Sequence, residues 1–77
     1  MERERQMQLS PLTNLTVPWG GQQFELQQVD FGSGARLMRL RIREGRRFTV
    51  IDLDAATVRD LARTMADWAD AELRASG

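Results

Sequence analysis

The chain has 77 residues, 11 arginines and no lysine against 11 acidic side chains, zero formal net charge, and neither cysteine nor histidine. That length holds one small domain, which hides only a little over ~60% of the surface its unfolded chain exposes. The missing residue types exclude disulfide staples, thiolate metal sites and the commonest general base, and the balanced charge leaves no overall field toward nucleic acid or an acidic membrane.

Residues 1–14 are polar, mixed in charge and without a clear period, and Pro11 breaks any helix begun upstream, so this stretch is expected to be a mobile arm. It has no apolar signal-peptide core, and no run in the chain approaches the ~18 apolar residues of a membrane span; the expectation is a soluble, cytoplasmic protein. The domain proper is expected over residues 15–77. Leu15 to Val17 reads as a brief strand ending at Pro18, and Trp19-Gly20-Gly21 as a turn. Gln22 to Phe31 is extended again, with Phe24 and Leu26 on one parity and Val29 and Phe31 on the other, a switch that predicts a β-bulge near Gln27-Gln28. Phe31-Gly32-Ser33-Gly34 is a connection.

Arg36 to Leu53 organises the rest. Met38, Leu40 and Ile42 alternate with Arg39, Arg41 and Arg43, and the alternation resumes at Phe48 and Val50, so the stretch predicts a β-hairpin turning at Glu44-Gly45. With Gly45 in the left-handed position of a bulged turn, Leu40 faces Phe48 and Met38 faces Val50, and the opposite face carries Arg39, Arg41, Arg43, Arg47 and Thr49. A strict two-residue turn at Glu44-Gly45 sets Thr49 and Ile51 against Leu40 and Met38 instead, but needs a glutamate with positive φ.

Asp54 is placed to cap a helix over about Ala55 to Leu73, with Leu53 and Val58 as a hydrophobic staple. Val58, Leu61, Ala62, Met65, Ala69 and Leu73 form one apolar stripe, with Trp68 at its margin. The fold class is therefore α+β: a curved antiparallel four-stranded sheet followed by one C-terminal amphipathic helix, β-β-β-β-α.

Catalytic chemistry finds little support. Gly32-Ser33-Gly34 lacks the rest of a phosphate-binding fingerprint and leads into a strand. Asp52 and Asp54 straddle a strand-to-helix junction, where capping is the ordinary duty, and no His, Cys, Lys or Tyr stands by as base or nucleophile. No cofactor, metal, small-molecule substrate or enzymatic activity is expected.

The arginines offer the one candidate binding surface. Six of the 11 (Arg36, Arg39, Arg41, Arg43, Arg46 and Arg47) fall in residues 36–47 of the hairpin beside a single acid, Glu44. Arginines at i, i+2 and i+4 project about 7 Å apart, near the phosphate spacing of an extended nucleic acid. Trp19 is the aromatic left over for stacking, since Phe24, Phe31 and Phe48 read as core. Three readings stand together: a solvated face kept soluble by charge, a surface for an anionic protein partner, and a single-stranded nucleic-acid surface, the last two using Arg39, Arg41, Arg43, Arg46, Arg47 and Trp19. The apolar sheet face is broader than one alanine-rich helix covers, so a homodimer is expected, with Leu61, Met65 and Trp68 at its interface.

The run Ile42-Arg43-Glu44-Gly45-Arg46-Arg47-Phe48-Thr49, followed by Leu53-Asp54 and Trp68-Ala69, resembles a family of short, mainly proteobacterial proteins described only as a domain of unknown function. The likeness spans roughly Phe24 to Ala69 and implies no activity. Four strands followed by a helix also resemble the transcriptional coactivator family that binds single-stranded DNA as a dimer; Gly45 to Val50 and Leu61 to Met65 are the matching segments. This second resemblance implies a dimeric DNA-binding role, from which the chain departs by having no lysine and no net charge.

Overall fold

The computed structural model describes residues 7–76. Strands β1 (Gln8–Thr16), β2 (Gln23–Asp30), β3 (Arg36–Glu44) and β4 (Arg47–Leu53) are followed by helix α1 (Ala55–Ser76). The strands form one antiparallel sheet in the order β1-β2-β3-β4, the four-strands-then-helix α+β arrangement that the alternation predicts.

Strand β1 begins at Gln8, well inside the stretch read as an arm; residues 1–6 of that stretch lie outside the described residues. A polar strand containing proline escapes detection by period, yet an edge strand tolerates both, because one side of its ladder needs no donors and its side chains stay in water. The ladder shifts register between Pro11 and Thr13, which leaves Leu12 unpaired.

The bulge predicted in β2 is not there. Its pairing with β3 runs from Gln23↔Arg43 to Asp30↔Arg36 without a shift. The change of parity in the apolar pattern instead marks a change of face. Phe24 and Leu26 lie with Leu40 and Ile42, whereas Val29 lies with Leu9 and Leu37 on the arginine-bearing face, where it is the one fully buried side chain among the described residues.

The hairpin turn is at Gly45-Arg46, not at Glu44-Gly45. Glu44 pairs with Arg47, and Gly45 has φ 63° while no non-glycine residue has positive φ among the described residues, the φ signs of a type II′ turn. This loop suits the right-handed twist of the strands and spares the glutamate an unfavourable conformation. Both expected registers are thereby corrected. Met38 faces Leu53, Leu40 faces Ile51 and Ile42 faces Thr49, while Phe48 and Val50 share the face of Arg43 and Arg41. Thr49 and Arg47 consequently leave the arginine face.

Asp54 caps α1. Its Oδ2 accepts from the Thr57 amide at 3.2 Å and its Oδ1 from the Thr57 hydroxyl at 2.6 Å, and the first helical amide bond joins Val58 N–H to Asp54 O at 3.0 Å. The Thr57 hydroxyl, then its amide, hold the Asp54 carboxyl below its usual range. From this cap the helix runs over the Leu26/Leu40 side of the sheet, and an apolar groove of about 380 Å³ separates the two, lined by Thr13, Leu15, Phe24, Leu26, Met38, Leu40 and Leu53 from below and Val58, Leu61, Ala62 and Met65 from above. Among the described residues α1 has no buried side chain.

Candidate interaction surface at the hairpin end of the sheet

The arginine face is a charge-paired surface rather than a bare cationic one. Cross-strand neighbours explain why: β2 sets Glu25 opposite Arg41, and β4 sets Asp52 opposite Arg39. Arg39 grips Asp52 in a bidentate fork, Nε to Oδ1 at 2.8 Å and Nη2 to Oδ2 at 3.0 Å. The Arg39 hydrogen bonds hold the Asp52 carboxyl below its usual range, and the same bonds raise Arg39. Arg41 donates to Glu25 Oε1 at 2.9 Å and lies over the Phe48 ring, Cζ 4.4 Å from the centroid. At the far end of the sheet Arg36 approaches Asp30 at 3.6 Å.

Three arginines are not neutralised in this way. Arg43 donates only to the neutral Gly45 carbonyl at 3.3 Å and Gln23 Oε1 at 3.4 Å, and Arg46 and Arg47 have no carboxylate in ion-pairing range among the described residues. Arg43 is the last arginine of β3, Arg46 is in the turn, and Arg47 starts β4 on the opposite face, so the three surround one end of the sheet.

Trp19 belongs to the same end. The β1–β2 connection is a tight turn in which Gly21 N–H donates to Val17 O and Val17 N–H to Gln22 O, both at 2.8 Å, with Gly21 at φ 75°. Gln22 Nε2 then donates to Glu44 Oε2 at 2.9 Å, tying this turn to the hairpin. The turn holds Trp19 out at 97% exposure. A shallow concavity of about 280 Å³ beside it is lined by Asn14, Leu15, Thr16, Gln23, Phe24, Glu25, Arg41, Arg43 and Phe48.

Of the six residues read as a binding surface, the fold thus leaves Trp19, Arg43, Arg46 and Arg47 at one end of the sheet and commits Arg39 and Arg41 to carboxylates. The sequence reading missed those two counter-ions because Glu25 and Asp52 lie 16 and 13 residues away from their arginines. A signal was available for Glu25, which shares the polar parity of β2 with Gln23 and Gln27, but not for Asp52, which shares its parity with Phe48 and Val50. Asp52 and Asp54 do not converge: one is held by Arg39 and the other caps α1. Leu61, Met65 and Trp68 lie on α1 at 48%, 66% and 67% exposure.

Among the described residues no group of three or more metal-ligating side chains stands together, and no helix is long and apolar enough to cross a membrane. No curated protein and no solved structure matches the chain. The profile that matches covers residues 6–71, the whole sheet and most of α1, and by it the chain belongs to DUF6967, a family of unknown function.

Proposed function

We propose that the chain is a small non-enzymatic, cytoplasmic binding module that works as a homodimer and docks an acidic partner protein at the hairpin end of its sheet. The observation that carries this reading is a 97%-exposed tryptophan in the turn at the same end of the sheet as Arg43, Arg46 and Arg47, which lack neutralising carboxylates among the described residues. Tryptophan and arginine are the side chains that most often dominate binding energy at protein interfaces, where a ring supplies contact area and a guanidinium fork grips a carboxylate. A chain without cysteine suits a reducing compartment.

An acidic protein is favoured over a nucleic acid on charge. Pairing of Arg39 with Asp52 and Arg41 with Glu25 breaks the stripe that would track a phosphate backbone, and three local cations remain on a chain of zero net charge. Three phosphate contacts on a single strand correspond to a log–log salt slope of only about −2.

The test is a fluorescence-anisotropy titration with a labelled Glu/Leu-rich peptide and with labelled oligo-dT, each at low and at moderate salt. Saturable peptide binding that weakens several-fold in Arg46→Ala, Arg47→Ala and Trp19→Ala supports the proposal. Failure to bind the peptide, or tighter binding of oligo-dT with a slope well beyond that limit, overturns it, the second result in favour of nucleic acid.

A further inference from the structure

We infer that the groove between α1 and the sheet is closed by α1 of a second copy, the two helices packing antiparallel about a twofold axis near Met65. This rests on the homodimer reading and gives it a geometry. The first support is area. A compact monomer of 8.8 kDa exposes roughly 4,800 Å², whereas this chain exposes 6336 Å², an excess on the order of 1,500 Å². Obligate homodimers bury about 1,000–2,500 Å² per subunit, an area of the same order as this excess.

The second support is the distribution of charge. On the groove side the interior of the sheet carries no ionisable side chain among the described residues. Charges occur there only at the ends of strands, Asp30 with Arg36 at one end and Glu44 with Arg47 at the other. An apolar centre with a charged rim is the layout of an interface core, and a sheet face meant for water has no need of it. Of the helix, only the first half of the stripe lines the groove, through Leu61 and Met65; Trp68 and Leu73, 67% and 71% exposed, continue it beyond.

The helix is self-complementary about Met65. In antiparallel pairing, positions equally far from residue 65 face one another, so Leu61 meets Ala69 of the second copy and Ala62 meets Trp68 of the second copy. Small residues oppose large ones in both pairs. Each indole is carried over the partner's groove at the point where Ala62 leaves room, and Leu26 and Leu40 form the floor beneath it.

The chain has no cysteine, so a single introduced thiol reports contact between copies without background. The measurement is the solution mass of the full chain by light scattering, followed by mild oxidation of Met65→Cys and, as a control, Arg46→Cys. A dimer mass, near-complete covalent dimer in M65C and at least tenfold less in R46C are expected. In a Trp19→Phe background, the emission of Trp68 should lie well to the blue of an exposed indole and move red in Met65→Glu. A monomer mass overturns this geometry and the homodimer reading together, α1 then closing on its own sheet. A dimer in which M65C cross-links no better than R46C overturns the geometry alone. Neither result touches the peptide titration at the hairpin end.

Discussion

Arg41 lies flat over Phe48, its Cζ 4.4 Å from the ring centroid, while the same guanidinium reaches Glu25 at 2.9 Å. One side chain thus joins three strands, since Glu25, Arg41 and Phe48 belong to β2, β3 and β4. The contact is diagonal, because the residue directly opposite Arg41 is Val50. Its role is structural. Arg41→Ala is expected to destabilise the fold by about 1 kcal/mol through lost cation–π and ion-pair terms, while affinity for the acidic peptide stays unchanged. Urea melts of the variant beside the peptide titration check this, and a several-fold loss of affinity at full stability contradicts it.

Val29 is the sole fully buried side chain among the described residues, wedged between Leu9 and Leu37 on the face that otherwise carries charge. Val29→Ala removes two buried methyl groups from a fold with little other core, and a loss of about 1.5–3 kcal/mol follows. For so small a domain this is a large share of total stability. The shift of the urea midpoint at constant slope is the readout, and Val50→Ala, at 49% exposure, is the milder comparison.

Gly45 sits at φ 63° in the hairpin turn with open space where a Cβ would go. The obstacle to substitution is therefore backbone strain and not a clash. Gly45→Ala is expected to cost about 1–2 kcal/mol, and Gly45→Asn less, because asparagine tolerates positive φ better than alanine. Thermal melts of the pair check the order.

Both Asp52 and Asp54 have carboxyls held below their usual range, Asp52 by hydrogen bonds from Arg39 and Asp54 by those from Thr57. A carboxylate whose pKa is lower in the folded than in the unfolded chain stabilises the fold above the unfolded value, ~3.9, and that contribution fades as pH falls through the folded value. Stability should therefore be flat near neutrality and fall below about pH 4. Asp54→Asn keeps the capping oxygen and removes the titration, so its acid limb is shallower than that of the parent chain. Asp52→Asn does the same and also weakens the Arg39 fork. An acid limb unchanged in both variants contradicts the assignment.

Element type and order were legible because alternation in Arg36–Ile42 and three-to-four-residue spacing in α1 each leave one dominant period. Register was not. The alternation of Phe48 and Val50 continues that of Met38 and Leu40 along the chain, but which parity faces the core depends on whether the loop carries an extra, bulged residue. A bulged loop sets Phe48 opposite Leu40, whereas the two-residue Gly45-Arg46 turn sets Ile51 there and exchanges the faces of β4. Phe48, read as core, thus serves as the platform for an arginine. β1 escaped for a different reason: an edge strand in water has no buried side and so no period to read. At the candidate site, Trp19 and the hairpin arginines were visible as residue types, whereas their sharing one end of the sheet depends on the β2–β3 register, which sets Gln23 opposite Arg43.

The meander order of the strands sets how the chain folds. Every strand pairs only with its neighbour in sequence, across connections of two to six residues, so no segment waits for a distant one. Low contact order of this kind favours quick assembly. During synthesis the whole sheet is complete once Leu53 clears the ribosome, and α1 emerges only after it. A nascent chain therefore presents its finished oily face before its own helix exists, which makes the interval between Leu53 and Ser76 the moment when that face most needs cover.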